Sequence, residues 1–327
     1  MTKISHPSTH RSTVQSQVHH GYLAFEGYRE QLVEELVHLG LPQSAQKNYD
    51  DLITGPGKLL SPVWAKNTWP HLIEIQFGSI SDASKQLKNL GLRWSHYPHK
   101  NHRKAELISQ SLKIASNEPL AFPFKNPPNK PIGSFTLISS DLILASNQCP
   151  QRFSQGDLKF IEDTDSPPSR AYLKLWEFFS RTNTLPLPGS SCIDLGSCPG
   201  GWTWVLARLG AQVVSVDRAP IDPRVAKMPE VTFLQGNAFT LDPTQFEKMD
   251  WVFSDVICEP PRLLELVQKW IQVFPNANFA CSVKFKGKTD FETLEQLLKI
   301  TDSRVMHLCH NKNEFTWYRL VGRSSSP

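Results

Sequence analysis

Asp194-Leu195-Gly196-Ser197-Cys198-Pro199-Gly200-Gly201-Trp202 is the stretch on which the reading of this chain turns. An apolar run, Cys192-Ile193-Asp194-Leu195, leads into it, and Trp204-Val205-Leu206 and Leu209 follow at helical spacing. The order is therefore strand, glycine turn, helix. Glycines let backbone approach a ligand, and the start of a helix offers N–H groups without partners, so the unit suits a nucleotide-type cofactor. The run lacks the Gly-x-Gly-x-x-Gly spacing of dinucleotide folds and the Gly-Lys-Ser/Thr ending of a P-loop. Neither NAD nor ATP is the first expectation.

Working outward, Val213-Val214-Ser215-Val216-Asp217 places an acid at the end of a second strand. An acid there suits the two hydroxyls of a cofactor ribose. A third strand end, Gln235-Gly236-Asn237-Ala238-Phe239, offers Asn237 as an acceptor for an adenine amino group. A lone Asp at a strand end reads equally well as a helix cap. Polar residues at all three ends favour a cofactor site. The pattern beyond residue 190 predicts strands over 191–195, 212–217, 231–235, 250–256, 278–284, 304–309 and 315–321, and helices over 202–209, 261–273 and 290–300. Strands alternating with helices imply a mostly parallel seven-stranded sheet, ligand at the carboxyl ends, and the last two strands imply an antiparallel edge hairpin.

The 327 residues allow two domains, with 39% hydrophobic and 20% charged residues in the range of a packed globular chain. The net charge is +4, and it sits in the first part: residues 1–150 hold 15 Lys and Arg against 11 Asp and Glu, and residues 151–327 hold 20 of each. A polyanion would therefore meet the N-terminal part first. Residues 1–20 are polar and read as a disordered tail, with no secretory leader. Residues 21–150 read as a smaller α+β domain: a strand at Tyr22–Phe25, a helix at Tyr28–Leu39, a loop with Gly55-Pro56-Gly57, a strand at His71–Phe77, a helix at Ser81–Leu90 and a hairpin at 135–145. A Pro-rich loop is expected over 119–131. Residues 93–104, Arg-Trp-Ser-His-Tyr-Pro-His-Lys-Asn-His-Arg-Lys, pair cations with rings; RNA contact and a solvated loop are equally good readings. His96, His99 and His102 are not read as metal ligands, because Pro98 breaks a helical display. The six cysteines include no Cys-x-x-Cys pair and read as reduced residues of a cytoplasmic protein.

The second-half pattern resembles Rossmann-like S-adenosylmethionine methyltransferases, and the Pro-Gly-Gly-Trp form of the loop resembles the FtsJ family of ribose 2′-O-methyltransferases. The resemblance implies S-adenosylmethionine as cofactor, with Cys198, Pro199, Gly200, Gly201 and Trp202 near its methionine end, Asp217 on the ribose and Asn237 on the adenine side, where the family commonly has Asp. It also implies a Lys-Asp-Lys-Glu tetrad. Ser169-Arg170-Ala171-Tyr172-Leu173-Lys174 supplies Lys174, Ser254-Asp255-Val256 supplies Asp255, Ser282-Val283-Lys284-Phe285 supplies Lys284, and Asn313-Glu314-Phe315 supplies Glu314. The Cys-Pro-Gly-Gly-Trp loop, the opening Gly21–Leu39 segment and Ser166-Pro167-Pro168-Ser169-Arg170 are similar to the bacterial RlmM group, which methylates a cytidine ribose of large-subunit ribosomal RNA. In that group a ferredoxin-like and THUMP-like RNA-binding region comes first, and residues 21–150 take that place, with residues 151–327 as the methyltransferase domain.

A ribose 2′-hydroxyl is a weak acid, and a lysine with a pKa near ~10.4 is protonated at neutral pH. A neighbouring cation and partial burial would lower that value. Lys284 is accordingly assigned as the base, with Lys174 and Asp255 positioning it and Glu314 supporting the lysine. Lys286 and Lys288 are rival bases; alternation would put Lys286 on the same face, as a phosphate contact. RNA is the expected partner, with no membrane and no obligate protein partner. The competing readings are another RNA such as tRNA or a cap, a small-molecule acceptor, and a catalytically weak RNA-binding assembly factor that keeps the fold.

Overall fold

The computed structural model describes residues 18–123 and 132–322. Residues 1–17 of the expected tail and 124–131 of the Pro-rich loop lie outside the described residues. The first strand starts before Gly21, as β1 (His19–Ala24). His20 is buried there because its Nδ1 accepts the His71 N–H and its Nε2–H donates to the Gly57 carbonyl.

β1 lies between β3 (Leu52–Pro56) and β4 (Ala65–Trp69), and β2 (Lys47–Tyr49) completes an antiparallel sheet in the order β2-β3-β1-β4. The loop expected at Gly55-Pro56 is strand. Gly55 serves packing: a Cβ there would meet the Leu41 side chain at 2.6 Å. The turn falls at Gly57, with φ of 110°. α1 (Arg29–His38) lies on this sheet and stacks His38 on Phe291 at 4.2 Å.

A second sheet has the order β5-β8-β7-β6, from β5 (Ile73–Gln76), β6 (Trp94–His96), β7 (Ile132–Leu137) and β8 (Leu142–Cys149). α2 (Ile80–Leu90) and α3 (His102–Gln110) cover it. The residues before 150 thus form an α+β region built on two sheets. Within residues 93–104, Trp94 is 1% exposed in a strand, so its ring belongs to the core, and the half-buried Tyr97 accepts the Asp51 N–H at its Oη. The cations at Lys100 and Arg103 remain outside.

The third sheet holds seven strands in the order β11-β10-β9-β12-β13-β15-β14. They are β9 (Ser191–Leu195), β10 (Gln212–Asp217), β11 (Val231–Gln235), β12 (Trp251–Ser254), β13 (Asn278–Lys284), β14 (Ser303–Met306) and β15 (Glu314–Arg319). All pairs are parallel except those of β15, which slots antiparallel between β13 and β14. α4 (Tyr172–Thr182) and α5 (Gly201–Arg208) pack on one face with Phe178, Phe253 and Trp251. α7 (Pro260–Val273) and α8 (Phe291–Leu298) pack on the other with Ile193, Phe279 and Trp317; the short α6 (Pro223–Ala226) follows β10. Tyr22, Leu32, Leu36 and Trp64 of the first sheet region join that second face, so the N-terminal part shares a core with the seven-stranded sheet. Strand order reverses between β9 and β12, which opens a crevice at their carboxyl ends. Among the described residues no helix is long and apolar enough to cross a membrane.

Candidate active site

The crevice begins at Gly196. Its φ is 79°, and a Cβ would lie 2.6 Å from Val256 Cγ1 and 2.9 Å from Val256 Cα. Only glycine lets the two loops after β9 and β12 close this tightly. The resulting cleft has a volume of about 480 Å³, within the ~300–1,000 Å³ usual for small-molecule sites. Asp217, Asn237, Phe239, Val256, Cys198 and Pro199 are among its walls.

Asp217 ends β10 as expected. Its Oδ2 accepts the Cys198 N–H at 3.0 Å and its Oδ1 accepts the Ala219 N–H at 3.0 Å. Each oxygen keeps a lone pair, so a vicinal diol can still be bound. Asn237 Oδ1 accepts the Phe239 N–H at 3.1 Å, leaving one lone pair and the Nδ2 donors for a ligand. Apolar Val216, Ala238, Phe239 and Val256 supply flat contact for a base. In the glycine loop, Cys198 and Pro199 face the cleft. Gly200 and Gly201 start α5, and Trp202 is 3% exposed, its indole N–H donating to the Ala171 carbonyl at 3.0 Å. Trp202 therefore braces the Ser169–Ala171 segment that forms the opposite wall. Behind the loop, Asp194 is fully buried. Its pKa is raised by burial to about 7, against the Thr203 hydroxyl that bonds its Oδ2 at 2.7 Å.

Lys174, Asp255, Lys284 and Glu314 come together from four elements. Lys174 projects from the first turn of α4, Asp255 follows β12, Lys284 ends β13 and Glu314 opens β15. Lys284 and Glu314 are direct cross-strand partners in the antiparallel β13–β15 ladder. Lys174 Nζ lies 2.6 Å from Glu314 Oε1 and 3.3 Å from Asp255 Oδ2. Lys284 Nζ lies 2.9 Å from Asp255 Oδ1 and donates to the Asp255 carbonyl at 2.7 Å. Two ammoniums and two carboxylates balance, which is what allows them to be mostly buried. Burial would lower the Lys174 pKa, but Asp255 and Glu314 outweigh it and hold the value above the ordinary one. Burial would raise Asp255, but Lys174 and Lys284 outweigh it and hold its carboxyl below the usual range. The expected depression of a buried lysine beside another is thus reversed at Lys174 by its carboxylates.

A second cavity, of about 760 Å³, opens beyond the tetrad, with Lys174, Phe285, His310, Lys312 and Glu314 on its walls. The two cavities share Ala171, Ile257 and Lys284. Lys284 therefore stands between a cofactor-sized cleft and a larger opening with basic residues. Sequence reasoning missed Ile257, which is 89% exposed at this junction. It also missed the His310–Asn313 loop; the one signal for both is position, closely after Asp255 and directly before Glu314. Lys286 does not share the face of Lys284, because β13 ends at Lys284. It is 83% exposed and pairs with Glu259 at 3.0 Å. Lys288 approaches Glu34 at 3.8 Å in the open.

A doubly covered parallel sheet with one antiparallel strand, an acid ending its second strand and a lysine-carboxylate cluster at the switch point give this part of the chain the fold of Rossmann-like methyltransferases. Residues 167–316 match the family described as FtsJ-like methyltransferase. The chain is 33% identical over 167 residues to ribosomal RNA large subunit methyltransferase M of Halorhodospira halophila, covering 48% of this chain and 49% of that protein. It is 30% identical over 226 residues to the protein of the same name from Shewanella halifaxensis, covering 62% of this chain and 61% of that protein. The chain thus spans between about half and three-fifths of the length of these relatives.

Proposed function

We propose that the chain is an S-adenosylmethionine-dependent RNA ribose 2′-O-methyltransferase, with a cytidine of large-subunit ribosomal RNA as its target. The observation that carries this reading is the placement of Lys284, paired with Asp255, where the two cavities meet. When bound, the cofactor supplies a methyl group on a sulfonium, an electrophile that needs an in-line nucleophile. The residues around the first cleft suit it: a carboxylate with free lone pairs for a diol, an amide for a base edge, and apolar walls for the ring. Lys284 Nζ takes the 2′-hydroxyl proton. Asp255 fixes that Nζ, and Lys174, held by Glu314, keeps Asp255 ionised and turned toward Lys284. Holding the hydroxyl oxygen in line supplies much of the rate. The names of both relatives, as ribosomal RNA methyltransferases, support ribosomal RNA as the acceptor. The residues before 150, with their excess of cations, are assigned to RNA capture.

The test is transfer of a labelled methyl group from S-adenosylmethionine to RNA from cells lacking this protein, followed by nucleoside digestion. Label in 2′-O-methylcytidine of large-subunit RNA is the expected outcome. Label only in a base, or in none of the RNA despite cofactor binding, overturns it. Asp217→Ala should weaken S-adenosylmethionine binding by about 1–3 kcal/mol, through lost hydrogen bonds to the ribose. Titration calorimetry would reveal an unchanged affinity if Asp217 serves only to pin the Cys198 and Ala219 amides.

A further inference from the structure

Glu314 opens a strand, so its carboxylate is only as well placed as the backbone there. Its carbonyl accepts from His307 Nδ1 at 2.9 Å and from Asn311 Nδ2 at 3.3 Å. His307 is 4% exposed, and burial lowers its pKa to about 4. The ring is therefore neutral at pH 7, and the carbonyl contact fixes its proton on Nδ1.

The ring lies among aromatic neighbours: Phe25 at 4.4 Å, Trp64 at 4.6 Å, Tyr28 at 5.0 Å and Phe315 at 5.9 Å between centroids. Three of the four come from the N-terminal part of the chain. Trp64 is itself held from three sides. It stacks on Tyr28 at 4.9 Å, and its Nε1–H donates to Thr289 Oγ1 at 2.9 Å. The Val63 and Trp64 amides donate to the two oxygens of the buried Glu35, each at 2.8 Å. On its remaining side the His307 ring borders a cavity of about 320 Å³, shared with Phe25, Val63, Arg181 and Met306. Without the indole the ring has room to turn away from the Glu314 carbonyl.

We propose that Trp64 and His307 are positioning residues for the Lys174–Glu314 pair: the N-terminal part, through the Trp64 indole, holds the His307 ring, whose Nδ1–H fixes the start of β15. This rests on the methyl-transfer reading. It makes the N-terminal part a component of the active centre in addition to any role in RNA capture. The methyltransferase domain without it would have a loosened Glu314.

The full chain, His307→Phe, His307→Asn and Trp64→Phe are compared in three measurements. These are kcat and KM for RNA methylation, S-adenosylmethionine affinity, and the pKa of Lys174 followed by NMR of labelled lysine. His307→Phe keeps a ring but removes the donor; His307→Asn keeps a donor at the place of Nδ1. For His307→Phe, kcat should fall about tenfold, as a displaced catalytic group costs, with KM and cofactor affinity within about threefold. The Lys174 pKa should fall, because its nearer carboxylate has moved. His307→Asn should restore most of both, and Trp64→Phe should shift both in the same direction as His307→Phe, so the test stands even if His307→Phe does not fold. A His307→Phe protein with kcat within twofold and an unmoved Lys174 pKa overturns the proposal. So does His307→Asn behaving like His307→Phe, since packing alone would then explain the ring. If the wild-type chain methylates no RNA, the functional reading fails on its own, and the Lys174 titration still decides the positioning.

Discussion

Lys284→Ala should lower the rate of RNA methylation by about 10³-fold or more while S-adenosylmethionine affinity stays within a few-fold, since removing a general base typically forfeits 10²–10⁴. The asymmetry follows from where Lys284 sits. Its Nζ reaches Asp255 and the mouth of the second cavity, whereas Asp217, Asn237 and the Gly196 turn, to which the proposed function gives the cofactor, line the first cleft away from it. Neither neighbouring lysine can replace it. Lys174 is engaged with Glu314 at 2.6 Å, and Lys286 points into solvent beyond the strand end. Lys284→Arg sharpens the test. Arginine keeps the charge and can reach Asp255, but with a pKa above ~12 it cannot give up its proton at neutral pH. If Lys284 acts as a base, Lys284→Arg should be as inactive as Lys284→Ala. If it only stabilises charge, Lys284→Arg should retain a large part of the rate. A Lys284→Ala protein of full activity would remove the base assignment altogether.

The parts of this architecture that are legible in the sequence are those where one residue type has one physical job. The glycine turn after β9, the acid ending β10, the acid just after β12 and the lysine ending β13 stand out because each breaks off an apolar run. The tetrad is different. Its members lie up to 140 positions apart, from Lys174 to Glu314. Their meeting depends on β15 pairing with β13, a register no local pattern encodes; family resemblance supplies it. α4 shows in the sequence only as the segment carrying Lys174: eight of its eleven residues are buried, polar Glu177 and Ser180 among them, so its buried face is not marked by apolar residues alone. The short strands between 47 and 69 escape for a similar reason. β4 buries Asn67, whose Nδ2 donates to Ser134 at 3.2 Å, so a polar residue occupies a core position and breaks the alternation. The link between Trp64 and His307 has no local signature either, since it joins residues 243 positions apart through ring packing.

Asp255→Asn should destabilise the protein by roughly 3 kcal/mol at neutral pH and abolish methyl transfer, although the substitution changes almost no volume. In the wild type one carboxylate serves two ammoniums, and the Lys174, Asp255 and Glu314 side chains are 13%, 20% and 7% exposed. Neutralising Asp255 leaves two cations facing one carboxylate in a site with little water. Removing one partner of a buried pair costs about 3–5 kcal/mol. The lower end applies, because Lys174 keeps Glu314 and Lys284 is 23% exposed, so water can screen it. The pH dependence separates charge from packing. Burial would raise the Asp255 pKa, but Lys174 and Lys284 hold it below its ordinary value. A carboxyl depressed in the folded state contributes stability that is complete above the unfolded pKa of ~3.9 and is lost as pH falls through the folded value. Denaturant melts of wild type and Asp255→Asn should therefore differ by the full amount at pH 7, begin to approach each other near pH ~4 and converge only as pH falls through the depressed folded value of Asp255. A gap that stays constant into acid would mean that the asparagine disturbs packing, and that the ion pairs of the tetrad contribute little to holding Lys284 in place.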